Sequence, residues 1–164
     1  MYKKILLPID GSKNSKRAAE HAINLADISK SNITVLFVIE PNYPKLPLLP
    51  ISTLPTPDEN YYEELREEGK KIIREFEDEI EKTLCKGKCQ NINFTIMIRE
   101  GKAYIEIVET IDEDDFDLVV MGASGRHSTL DRLVLGSVTE RVIRETRIAA
   151  VSYTHLTLPT KRIV

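Results

Sequence analysis

The sequence predicts an α/β fold: one parallel sheet with helices on both faces. Three observations lead there. Short apolar runs with strand character alternate with segments whose apolar residues recur at the helical period. The first two runs are apolar enough to be strands buried on both faces. A later run ends in a glycine-bearing loop that opens into a helical pattern, and open α/β sheets hold ligands at the carboxyl ends of their strands.

The elements follow in order. Lys3-Lys-Ile-Leu-Leu-Pro-Ile9 is the first strand. Ser12 can cap a helix running to about Ser29, with Ala18, Ala19, Ala22, Leu25 and Ala26 on its inner stripe. Ile33 to Ile39 is the second strand. Residues 40–57 hold six prolines and no periodicity, which predicts a mobile loop. A long helix is expected from about Asp58 to Leu84, with Leu65, Ile72, Ile73, Phe76, Ile80 and Leu84 inward and its glutamates and lysines in water. Asn91 to Ile98 reads as the third strand, and Tyr104, Ile107, Val108 and Ile111 stripe a third helix. Asp117-Leu-Val-Val-Met121 is the fourth strand. The loop Met121-Gly-Ala-Ser-Gly-Arg126 follows, and the last helix covers Val138 to Thr146. Strand-helix-strand units of this kind are joined by right-handed crossovers.

Composition sets the remaining bounds. A chain of 164 residues is large enough for one domain with its own core. A net charge of -3 argues against a nucleic-acid surface. No apolar run approaches the roughly 20 residues that span a bilayer, so no membrane partner is expected. The first strand begins too early to leave room for a signal peptide, which predicts a cytoplasmic location. Cys85 and Cys89 are expected as two free thiols in a reducing cytosol, since two thiols cannot complete a zinc site and a redox pair more often has two intervening residues. The lysines beside them favour the thiolate and so permit slow oxidation.

The fold rule brings three loops together. The first strand ends in Pro8-Ile-Asp-Gly-Ser12, the second in Phe37-Val-Ile-Glu40, the fourth in the glycine loop. Each has two readings. Asp10 can accept hydrogen bonds from a ribose, or it forms an Asx turn. Val38 can offer a wall and backbone groups to a base, or it is core. The glycines can let a backbone approach phosphate at a helix start, or they make a tight turn with a glycine cap. His21 and His127 are lone residues; the first packs or faces solvent, and the second lies where it could touch a phosphate. No Ser/His/Asp order or paired acids stand out, and there is no Gly-x4-Gly-Lys-Ser/Thr loop. No residue stands out as a general base, which favours binding over efficient catalysis.

In these stretches the chain resembles the universal stress proteins. The opening Tyr2 to Ser12, Phe37-Val-Ile39, Asp117 to Arg126 and Leu133 to Ile143 carry the resemblance, which covers about residues 1–150. It implies a single-domain, Rossmann-like fold of the adenine nucleotide alpha hydrolase kind. The expected sheet is open, parallel and five-stranded in order 3-2-1-4-5. The family's ATP-binding branch carries Gly-x2-Gly-x9-Gly-Ser/Thr, and Gly122, Gly125, Gly136 and Ser137 fall on it. The resemblance implies ATP, with Mg²⁺ offsetting its charge, among Pro8, Asp10, Val38, Met121, Gly122, Gly125, Arg126, Gly136, Ser137 and Val138. It also implies a regulatory role in stress with at most slow ATP hydrolysis, and a homodimer joined through the last strand. The alternative is the family's other branch, a dimerisation or interaction module without nucleotide.

Two departures stand out. Ten residues, not nine, separate Gly125 from Gly136, and the extra one falls around His127-Ser-Thr129. The family's final apolar strand is replaced by Val151-Ser-Tyr-Thr-His-Leu-Thr-Leu-Pro-Thr160 and four further residues. This resembles one reading frame of a sequencing-library transposase adapter, so residues 151–164 are expected to be non-native and His155 carries no function. Val151 to about Thr154 could still form an edge strand, and 156–164 are expected to be disordered.

Overall fold

The computed structural model describes residues 1–41, 59–85, 88–125 and 135–153. The first strand, β1 (Lys4–Ile9), is central and buried along most of its length. It pairs in parallel with β2 (Asn32–Ile39) on one side and β4 (Leu118–Gly122) on the other. β3 (Phe94–Glu100) joins β2 as one edge, and β5 (Ala149–Tyr153) joins β4 as the other. The order is thus β3-β2-β1-β4-β5, all parallel, as the alternation predicted.

Side-chain alternation along the strands builds two cores. Ile5, Leu7 and Ile9 face one side with Ile33, Val35, Phe37, Leu118 and Val120. There they meet Ala18, Ala19, Ala22 and Ala26 of helix α1 (Lys13–Ser29) and Ile73 and Phe76 of α2 (Glu59–Glu79). Leu6, Leu36, Val119 and Met121 face the other side, against Ile107 and Ile111 of α3 (Ala103–Glu113) and Val142 of α4 (Ser137–Glu145). Burial of each such Leu, Ile or Val contributes about 1.5–3 kcal/mol. The alanine face of α1 lets its backbone lie close to β1 and β4. His21 packs, stacking on the Tyr153 ring at 3.5 Å between centroids, and burial lowers its pKa.

The chain departs from expectation in three places. The third strand was expected over Asn91 to Ile98, but Lys88–Asn91 forms a 3-10 turn and β3 starts at Phe94. The Ile92 N–H donates to the Cys89 carbonyl, and the Asn93 carbonyl accepts from Ile33 as pairing with β2 begins. β3 then continues through Arg99 and Glu100, because an edge strand can leave charged side chains in water. The long helix stops as an α-helix at Glu79 and finishes as a π-turn, Ile80–Leu84. Finally, Cys85 and Cys89 are a disulfide, not two free thiols. The π-turn and the following 3-10 turn bring their Cα atoms to 5.1 Å, within disulfide reach.

β5 takes in the expected edge strand up to Tyr153. The loop at 40–57 beyond Pro41, the inserted stretch His127-Ser-Thr129 and the tail from Thr154, including His155 and 156–164, fall outside the described residues.

Candidate functional site

After β3 the chain crosses back over the sheet to β4, so the connections leaving β1 and β4 depart to opposite faces. That opens a crevice at their carboxyl ends. On the β1 side, Asp10 Oδ1 accepts the Ser12 N–H at 2.9 Å, an Asx turn. Gly11 between them has φ +78, a conformation that favours glycine. Ser12 then caps α1, its Oγ accepting the Ser15 N–H at 3.1 Å. The structural reading of Asp10 therefore holds. Its second oxygen faces the other loop: a Cβ on Gly125 would lie 2.8 Å from Oδ2.

On the β4 side, Gly122 lies against the start of α1. A Cβ there would sit 2.9 Å from the Asn14 carbonyl carbon and 3.0 Å from the Ser15 nitrogen. Asn14 Nδ2 reaches across to Ser124, donating to Oγ at 2.7 Å and to the carbonyl oxygen at 3.2 Å. Ala123 N–H donates to the Tyr153 carbonyl at 2.8 Å. Gly136 N–H donates to the Ala123 carbonyl at 2.6 Å, which draws the start of α4 onto the end of β4. Thr139 Oγ1 donates to the Gly122 carbonyl at 2.9 Å and fixes the same approach. Gly136 is the N-cap of α4 and supplies no side-chain acceptor. The amides of Ser137, Val138 and Thr139 have no intrahelical partner, so this end of α4 carries partial positive charge.

These loops enclose a cavity of about 520 Å³, within the size range of small-molecule sites. Leu36, Val38, Ala103, Ile107 and Met121 form an apolar slot at one end, with Glu40 at its rim. Asp10, Ser12, Ser124, Gly125, Gly136 and Ser137 form the polar part. Of the residues expected around a ligand, Pro8, Asp10, Val38, Met121, Gly122, Gly125, Gly136, Ser137 and Val138 all line it. Arg126 and His127 lie outside the described residues. Sequence reasoning missed Ser15, Glu40, Ala103, Ser124 and Thr139. Glu40 and Ser124 lay in the loops expected to converge, and Ser15 had a local signal in its place three residues after a capping serine. Among the described residues no cluster of three His, Cys, Asp or Glu side chains could hold a metal, and no helix is long and apolar enough to cross a membrane.

Comparison with known proteins agrees with this architecture. A universal stress protein from Methanocaldococcus jannaschii, MJ0531, is 34% identical over 146 residues, covering 88% of this chain and 77% of that one. Among solved structures, universal stress protein UspA from Lactobacillus plantarum superposes with a TM-score of 0.69 at 21% identity, covering 92% of this chain and 97% of that one. A universal stress protein solved in complex with cAMP superposes at 0.60 and 22% identity, covering 93% and 97%. At these identities the structural matches speak for the fold. Residues 1–151 match the model of the universal stress protein family. The chain belongs to that family.

Proposed function

We propose that this protein binds ATP with Mg²⁺ in the crevice between β1 and β4 and serves a regulatory role in stress. One juxtaposition carries the reading: the N-terminus of α4, which has no side-chain cap, and a glycine-built floor share a cavity with an apolar slot. Anions bind at helix N-termini, where free amides point outward and the dipole favours negative charge. Side chains at Gly125 and Gly136 would crowd that floor, meeting Asp10 Oδ2 and the Ser124 Cα at 2.8 and 3.2 Å. The base would lie in the slot beside the backbone of Val38, between Pro8 and Met121. Asp10 would take the ribose. Gly122, Gly125, Gly136, Ser137 and Val138, with Arg126, would hold the phosphates, and Mg²⁺ would offset charge that Asp10 opposes. A relative of this fold in complex with cAMP supports an adenine nucleotide as ligand class.

Any hydrolysis of the bound nucleotide is read as slow. The protein is read as cytoplasmic and as a homodimer through β5, with residues 151–164 a non-native tail. Reading the source genome past the codon for Ala150 tests the tail. The nucleotide site is tested by Gly136→Val: titration calorimetry is expected to show ATP affinity lowered at least about tenfold, with the far-ultraviolet dichroism retained. Unchanged affinity would overturn the cradle.

A further inference from the structure

Glu40 directly follows β2 at the exposed edge of the cavity lining, and no sequence reading gave it a role. Its Oε2 accepts the Ala103 N–H at 3.2 Å. Lys102, the N-cap of α3, provides no side-chain acceptor. The carboxylate from a neighbouring strand thus takes the place of the missing cap, where negative charge suits the positive end of the helix. Glu40 lines the same cavity as Leu36, Val38 and Ile107. An ionised carboxylate only accepts hydrogen bonds and has room for several. One bond to Ala103 leaves it able to take another from whatever occupies the slot.

We infer that Glu40 determines base specificity, selecting a purine with a 6-amino donor over one with a 6-oxo acceptor. The inference rests on the nucleotide reading above and assigns it a discriminating residue. An acceptor-only group at the edge of an otherwise apolar slot rewards an amino group and repels a carbonyl oxygen. A helix cap alone would affect stability and leave base choice untouched.

The experiment compares ATP with inosine triphosphate, which differs at the 6-position, by calorimetry with Mg²⁺ on the full chain. ATP is expected to bind about tenfold more tightly, the worth of one hydrogen bond to a charged group at an open rim. In Glu40→Gln the ratio is expected to fall toward one, since an amide can donate to a 6-oxo group. The melting temperature should fall by no more than about 3 °C, because the Gln carbonyl can still accept from Ala103 and only the charge at the helix end is lost. Equal affinities in the unmutated protein would overturn the inference while leaving the nucleotide site standing. So would an unchanged ratio in Glu40→Gln. Binding of neither triphosphate would overturn the nucleotide reading itself, and this inference with it.

Discussion

Replacing Gly122 with alanine puts one methyl group where α1 meets β4. The new Cβ would lie 2.9 Å from both the carbonyl carbon and the Cβ of Asn14, and 3.0 Å from the Ser15 nitrogen. Ordinary carbon contacts begin near 3.5 Å, so the start of α1 must retreat by about half an ångström. Two of the three atoms are backbone, so rotating a side chain cannot relieve the clash. The retreat strains the Asn14–Ser124 hydrogen bonds and moves Ser15, which is buried. Overpacking of this kind costs about 2 kcal/mol, which for a chain of this size lowers Tm by about 4–8 °C. Differential scanning calorimetry at one pH measures it. If Tm moved by less than about 1 °C, the contact between α1 and β4 would be looser than described and the argument refuted. ATP affinity should fall in the same variant, because Asp10, Ser12 and Ser124 share the displaced loops.

Reducing the Cys85–Cys89 disulfide, or replacing Cys89 with serine, should cost about 2 kcal/mol by the loop-closure relation for so short a ring. Melting with and without a thiol reductant measures this, and identical curves would show that the link carries no stability. Asp117 accepts the backbone N–H groups of Lys3 and Lys4 at 2.6 and 2.9 Å, and these bonds, that from Lys3 foremost, hold its pKa below the usual carboxylate value. A depressed folded pKa means stability that is present above the unfolded value, about 4, and lost as pH falls through the folded one. Asp117→Asn should therefore be less stable at neutral pH, with the gap closing below about pH 4. A gap independent of pH would rule out the charged bonds as its source.

What the sequence made legible follows from how local each signal is. β1, β2 and β4 are buried on both faces, so their apolar runs mark them directly. Ser12 announces α1 because a cap is a contact three residues long. β3 was misplaced for the opposite reason. Asn91 and Asn93 alternate with Ile92 and Phe94 as in a strand, yet their backbone turns, and Arg99 and Glu100 look unlike strand residues until their partners are known. Arg99 reaches Glu113 and Glu106 of α3, and Glu100 meets Arg66 of α2, over separations invisible to a short window. The disulfide was missed because a two-residue spacer was the template, whereas here the end of one turn and the start of another bring cysteines four apart to within 5.1 Å between Cα atoms. In the site, the glycines were readable from spacing. Asn14 and Ser124 were not, since their bond spans 110 residues.

The Ala123–Tyr153 bond joins the last strand to the floor of the crevice through main-chain atoms alone. A carbonyl oxygen presents the same acceptor whatever side chain it carries, so the terminal strand can be rewritten and still brace the loop, provided it stays extended in register. The brace is thereby insulated from mutation at its own position but exposed to any event that peels the edge away. A ligand that tightens the loop should slow deuterium uptake at the Ala123 amide. Whatever pairs along the outer side of β5 should do the same from the far side, so two occupants that never touch would each be sensed through one peptide group.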